Sequence, residues 1–193
     1  MKYITLFALL ALTVSCTTDG KSEGKEVKME IIKEKIPEGY DPEKNLVGLG
    51  IPFEEISAPL ANYVNSVRVG NLIFMAGKGP KGADGETITG KLGQELDVEQ
   101  GYAAAKSIGV QQLSVLKSEL GNLNKVKRIV KVTGMVNAVP EFKDHSKVIN
   151  GYSDFMVEVF GDRGKHARAA VGMGSLPNNM AVEIEMVVEV FED

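Results

Sequence analysis

Cysteine is nearly missing from this chain. Of 193 residues only Cys16 carries a thiol, so no intramolecular disulfide and no cysteine-built metal centre can form. Histidine is almost as scarce, and His145 and His166 do not stand at metal-ligand spacing. Tryptophan is absent, and five Tyr with seven Phe leave little material for a base-stacking platform. Positive charge is not in excess. A net charge of −4 argues against a dedicated nucleic-acid binder, which carries a basic face. The apolar run Ile4–Val14 is too short to cross a membrane as a helix. What remains is ordinary material for a core: 44% hydrophobic and 25% charged residues, enough for one main domain plus a terminal extension.

That extension has its own logic. Lys2 supplies a positive end, Ile4–Val14 is interrupted only by two threonines, and Ser15-Cys16 closes the run. The layout is that of a secretory signal. A small residue just before the cysteine resembles a bacterial lipoprotein signal, although Thr13 stands where leucine is usual and Leu12 lies one place back. The expectation is cleavage before Cys16 and lipid attachment to it, holding the chain to the bacterial cell envelope through a lipid anchor only. The alternative is an ordinary cleaved signal that leaves a periplasmic protein. Residues 17–45, rich in Lys, Glu, Gly and Asp, read as a polar tether, with one short ordered piece at Val27–Ile36.

The folded domain is expected over 46–193. Tyr63–Val69, Gly70-Asn71 and Leu72–Ala76 make a hairpin signal. Gly85–Lys91 has phosphate-loop spacing, but Leu92 replaces the magnesium-binding hydroxyl and no buried strand precedes it. Helical periodicity covers Val98–Leu120 and His145–Phe160, with Gly121 and Gly161 as stops. Val126–Val136 is strand-like with poorly separated faces. The chain closes on a stretch that reads as a second β-hairpin, His166–Pro177 followed by Ala181–Val190, with Gly172, Gly174, Pro177, Asn178 and Asn179 supplying the turn chemistry. The order predicts an α+β fold, a two-layer mixed sheet with two helices on one face. Its uncovered face calls for a symmetric oligomer.

Neither histidine shows a nucleophile–base arrangement in the sequence, and Gly172-Met-Gly-Ser175 is not a nucleophile elbow. Arg168 is different. It lies in an otherwise apolar strand, where a guanidinium needs an anionic partner to offset its desolvation. That partner is either Glu183 or Glu185 across the hairpin, or a bound carboxylate.

The motifs His-Ala-Arg168-Ala-Ala-Val-Gly, Leu176-Pro177 and Val182-Glu183-Ile-Glu resemble the C-terminal signature of the RidA/YjgF family. Ala61-Asn-Tyr63-Val, Val69-Gly-Asn-Leu-Ile-Phe and Ala76-Gly77 are similar to its N-terminal signature, and Asn150 matches a further position. The resemblance implies a chorismate-mutase-like fold, a homotrimer with clefts between subunits, and cofactor-free hydrolysis of 2-imino or enamine acids to 2-oxo acids and ammonia. On that reading Arg168 holds the substrate carboxylate and Glu183 positions water. Tyr63 closes the pocket, while Gly77 and Asn150 shape it. Ala76 and Lys78 stand where the active branch has Ser and Gln, and Ala170 where it has Cys. The alternative function is a non-catalytic envelope module that binds a small carboxylate metabolite in the same cleft.

Overall fold

The computed structural model describes residues 34–56 and 61–192, all within a compact unit spanning Lys33–Asp193. Cys16, and with it the signal and the tether that the sequence leads one to expect up to residue 33, lie outside the described residues. In chain order the elements are α1 (Pro42–Gly48), β1 (Ser66–Val69), β2 (Leu72–Lys78), α2 (Val98–Leu120), β3 (Val126–Asn137), α3 (His145–Phe160), β4 (Ala167–Met173) and β5 (Val182–Val190). The five strands form one mixed sheet in the order β1-β2-β5-β3-β4.

Both long helices have the bounds their periodicity predicts, and α2 shows why. Asp97 accepts the Gln100 amide at 2.8 Å while the Gln100 side chain accepts the Asp97 amide at 2.9 Å, a reciprocal capping box. At the other end Gly121 takes φ 75° and returns its N–H to Lys117, a conformation that glycine adopts without a Cβ clash. Ile108, Leu113 and Leu116 of α2 and Val148, Tyr152, Phe155 and Met156 of α3 are fully buried. Each such side chain is worth about 1.5–3 kcal/mol of burial. The two helices meet closely at Gly151, where a Cβ would lie 2.0 Å from the Tyr102 carbonyl oxygen. Inside this layer Gln112 donates to the Ile184 carbonyl at 2.8 Å and accepts from the Tyr152 hydroxyl.

Three expectations change. First, ordered structure reaches back before Leu46. Asp41 caps α1 by accepting the Lys44 amide at 3.0 Å, with Pro42 in the first turn. Leu46 is buried, Glu43 pairs with Lys117 at 2.7 Å, and the Tyr40 hydroxyl donates to the Val126 carbonyl at 2.7 Å. The end of the stretch that reads as a tether is thus the entry of a helix, a third one beside the two expected. Second, the blurred faces of β3 come from two irregularities in its pairing with β5, at Val126/Arg128 and Ile129/Lys131. Each shifts the alternation, so Val126, Ile129 and Val132 all point inward. Third, the closing segments are not a hairpin. β4 pairs in parallel with β3, and β5 runs antiparallel between β2 and β3. Asn178 and Asn179, both at positive φ, turn the chain, but the turn carries it past β3 rather than back onto β4.

The helices cover one face of the sheet. The other is left open and bears Val67, Phe74 and Val171, exposed at 53%, 46% and 42%.

Candidate active site

Arg168 sits on β4, one of the two edge strands, opposite Val132 of β3. Val132 is buried beneath the helices, and paired residues share a face, so Arg168 points to the helix side. Helix α3 receives it there. Its Nη1 donates to Asn150 Oδ1 at 2.8 Å and to Ser153 Oγ at 3.0 Å. Asn150 and Ser153 are three residues apart, one above the other on a helix face. These two bonds use both Nη1 protons. The Nε–Nη2 edge, the fork that matches a carboxylate, has no partner among the described residues. The ion pair with Glu183 or Glu185 that the sequence left open does not form, because β3 separates β4 from β5. Beside the guanidinium is a cavity of about 240 Å³ lined by Ser153, Asp154, Val157, Lys165 and His166.

Glu183 occupies the opposite face. On β5 it alternates with the buried Val182 and Ile184 and lies across from Met135, so it projects to the side without helices. It is half-buried, with neither a hydrogen-bond nor an ion-pair partner among the described residues. Burial pushes its carboxyl pKa above the ordinary value, and Glu185 adds to the rise. Gly77 makes this placement possible. A Cβ at residue 77 would lie 2.3 Å from Glu183 Oε1, so the carboxylate fills the space that a side chain would take. The register of β2 against β5 shifts between Met75 and Lys78, which carries Gly77 into this position.

Lys78 does not run free into solvent. It is half-buried and donates to Asn65 Oδ1 at 2.6 Å. Burial, then nearby Lys81, lowers its pKa. Tyr63, two residues before Asn65, is 51% exposed. Ala170, opposite Gly134 on the helix side, leaves a small side chain two places beyond Arg168.

The predicted residues therefore form two groups. Arg168 and Asn150 lie at the β4 edge on the helix side, while Glu183 and Gly77 lie on the open face. With β3 between their strands and a three-residue offset along it, the backbones are about 10 Å apart across the sheet and about 10 Å along it. One chain does not bring them together. The sequence reading missed Ser153 and His166, whose side chains lie 3.0 Å apart behind Arg168. The spacing Asn150-x-x-Ser153 was the available signal, but only once Arg168 is known to lie under α3. Among the described residues no group of three or more His, Cys, Asp or Glu is placed to hold a metal ion. A separate cavity of about 700 Å³ lies at the far end of β4, lined by Lys91, Phe142, His145 and Met173 among others, and includes none of the predicted residues.

The family model described as "YjgF/chorismate mutase-like, putative endoribonuclease" matches residues 43–190. Protein TCP17 of Trypanosoma cruzi is 43% identical over 146 residues, covering 75% of this chain and 91% of that protein. The solved structure of protein Atu1372 from Agrobacterium tumefaciens is 40% identical with a TM-score of 0.71, covering 77% of this chain and 93% of that one. A Shewanella oneidensis protein solved as a "putative endoribonuclease" is 30% identical with a TM-score of 0.74, covering 78% and 99%. The chain belongs to the YjgF/RidA-like family, and the α+β, chorismate-mutase-like fold that the resemblance implied is its fold.

Proposed function

We propose that this chain hydrolyses small 2-imino or enamine acids to 2-oxo acids and ammonia, without a cofactor, in clefts between the subunits of a homotrimer. The observation that carries the reading is Arg168: a guanidinium fixed from behind by Asn150 and Ser153, with its carboxylate-matching edge unpartnered among the described residues. Glu183 supports it as a half-buried carboxylate without a partner among the described residues, its pKa raised by burial in the direction that strengthens a carboxylate as a base. Since the two groups face opposite sides of one sheet, the cleft joins Arg168 and Asn150 of one subunit to Glu183 and Gly77 of the next. Tyr63 closes that cleft from its wall. The open, valine-bearing sheet face is the surface that assembles the trimer.

In this scheme the substrate carboxylate docks on the Nε–Nη2 edge of Arg168, which holds the imine carbon opposite Glu183. A water gives one proton to Glu183 as its oxygen bonds to the imine carbon and the C=N bond becomes single. Glu183 returns that proton to the nitrogen of the carbinolamine. Glu183 then takes the hydroxyl proton and passes it to the same nitrogen, so that the C–N bond breaks as the C=O bond forms, releasing ammonia and the 2-oxo acid. An imine is already a good electrophile, so orientation of substrate and water supplies most of the acceleration. Ala76 and Ala170 remove two polar side chains without removing a group this sequence of steps uses. The ribonuclease in the family's description is not favoured by a net charge of −4 and the scarcity of aromatic side chains. We further propose that the protein works at the cell envelope, anchored through Cys16.

The test follows semicarbazide-trapped 2-iminopropanoate made by an amino-acid oxidase. The purified chain should hasten its loss, and Arg168→Ala should not. Calorimetric binding of 2-oxo acids without turnover would favour the non-catalytic module instead.

A further inference from the structure

The hydrogen bonds behind Arg168 run one step past the guanidinium and its two direct partners. His166 Nδ1 lies 2.7 Å from the Gly164 carbonyl. A carbonyl only accepts, so Nδ1 carries a proton and donates it. In a neutral ring, Nε2 is then a lone-pair acceptor. At 3.0 Å from it is Ser153 Oγ, whose single proton must point that way. The same oxygen presents its lone pairs to Arg168 Nη1, 3.0 Å distant. Donation therefore runs in one direction, from Arg168 to Ser153 to His166 to the Gly164 carbonyl.

Protonating the ring reverses one link. Nε2 becomes a donor, so two cations direct N–H groups at one hydroxyl oxygen whose own proton has lost its acceptor. Burial, more than the nearby charge of Arg168, holds the His166 pKa below its ordinary value, against the opposing pull of the Gly164 carbonyl. The other polar groups about the ring are Tyr152, whose ring edge meets it at 6.4 Å between centroids, and Asp154 and Lys165, which line the same cavity.

We infer that Ser153 and His166 are positioning residues for Arg168: the Nδ1-protonated neutral ring turns the Ser153 hydroxyl to accept from the guanidinium, and ring protonation weakens that hold by setting a second cation against the same oxygen. Ser153 Oγ has two lone pairs and can still meet Nη1, but it then does so beside a second cation on the same oxygen, so Asn150 becomes the main restraint on Nη1 and the Nε–Nη2 edge is held less firmly toward the cleft. The geometry of the relay stands independently of function. Its consequence for ligand binding rests on the reading of Arg168 as the carboxylate anchor.

The experiment combines long-range ¹H–¹⁵N spectra of the purified chain across the acid range with titrations of 2-oxobutanoate as probe. Near neutral pH, His166 should show a protonated Nδ1 and a bare Nε2, and the Arg168 Nη protons should be hindered and resolved. Both signatures should vanish together as the ring protonates, and probe affinity should fall several-fold in step. His166→Gln offers an amide oxygen that accepts from Ser153 but does not titrate, so it should keep the Arg168 signature and the affinity into acid. Ser153→Ala should lose the signature at every pH while keeping its thermal midpoint. An Nε2-protonated tautomer near neutrality, Arg168 signals indifferent to His166 protonation, or an unchanged acid loss in His166→Gln overturns the inference. Probe affinity that ignores Arg168→Ala sinks the functional reading instead, and the spectra still decide the relay.

Discussion

Replacing Gly77 by alanine should slow turnover severely while leaving the fold almost untouched. The added Cβ would stand 2.3 Å from Glu183 Oε1, 3.1 Å from its carboxyl carbon and 3.2 Å from Cγ. Non-bonded carbon and oxygen settle about 1 Å further apart than the shortest of these, so the carboxylate must swing away by about that much. The atoms it displaces are the end of a flexible side chain rather than backbone, so the fold loses little, about 0.5 kcal/mol or less. Catalysis is less forgiving. A misplacement of about 1 Å in a positioning group costs on the order of 100-fold in rate. The assay is the semicarbazide-trapped imine decay with a thermal melt of the same sample. Full activity in Gly77→Ala, or loss of activity that tracks loss of folded protein, would refute the reasoning.

Other perturbations separate site from scaffold. Arg168→Lys keeps the charge but not the fork, and should raise KM on the order of 10-fold or more with a smaller change in kcat; equal KM would count against a bidentate carboxylate. Glu183→Gln should abolish turnover yet raise the melting temperature near neutral pH. The folded-state pKa of Glu183 is raised, so below the unfolded value both states are protonated and the group costs nothing. The folded protein then loses stability as pH rises through the window up to the raised value. The gain from the neutral amide should therefore shrink as pH falls through that window, and a Tm difference independent of pH would contradict this. Gly151→Ala should destabilise by about 1–3 kcal/mol or more in urea titration, because the new methyl meets a carbonyl oxygen of the neighbouring helix at 2.0 Å.

Much of the fold was legible because helices announce themselves locally. Asp97 and Gln100 close one end of α2 and Gly121 the other, all within a residue or two of the segment they bound. Strand partners are non-local, and there the local signals misled. The turn residues between Met173 and Val182 are real, yet β4 pairs with a strand that precedes α3. Alternation in β3 could not reveal bulges that exist only against β5. The short α1 carried its Asp41-Pro42 signature, but seven residues in a charged stretch look like linker until Leu46 is seen buried. At the site, residue chemistry singled out Arg168, and resemblance supplied Glu183, Gly77 and Asn150. Nothing in the sequence placed Arg168 and Glu183 on opposite faces. That single fact turns a list of site residues into a statement about assembly.

In the proposed trimer a working cleft takes Arg168 from one subunit and Glu183 from its neighbour. Two inactive variants, Arg168→Ala and Glu183→Ala, can be unfolded, mixed in equal amounts and refolded together, with co-assembly verified by native mass spectrometry of differently tagged chains. In a randomly mixed cyclic trimer about a quarter of the clefts would combine the intact arginine of one chain with the intact glutamate of the next. The mixture should regain about that fraction of native imine hydrolysis. Co-assembled trimers as inactive as either parent would contradict it.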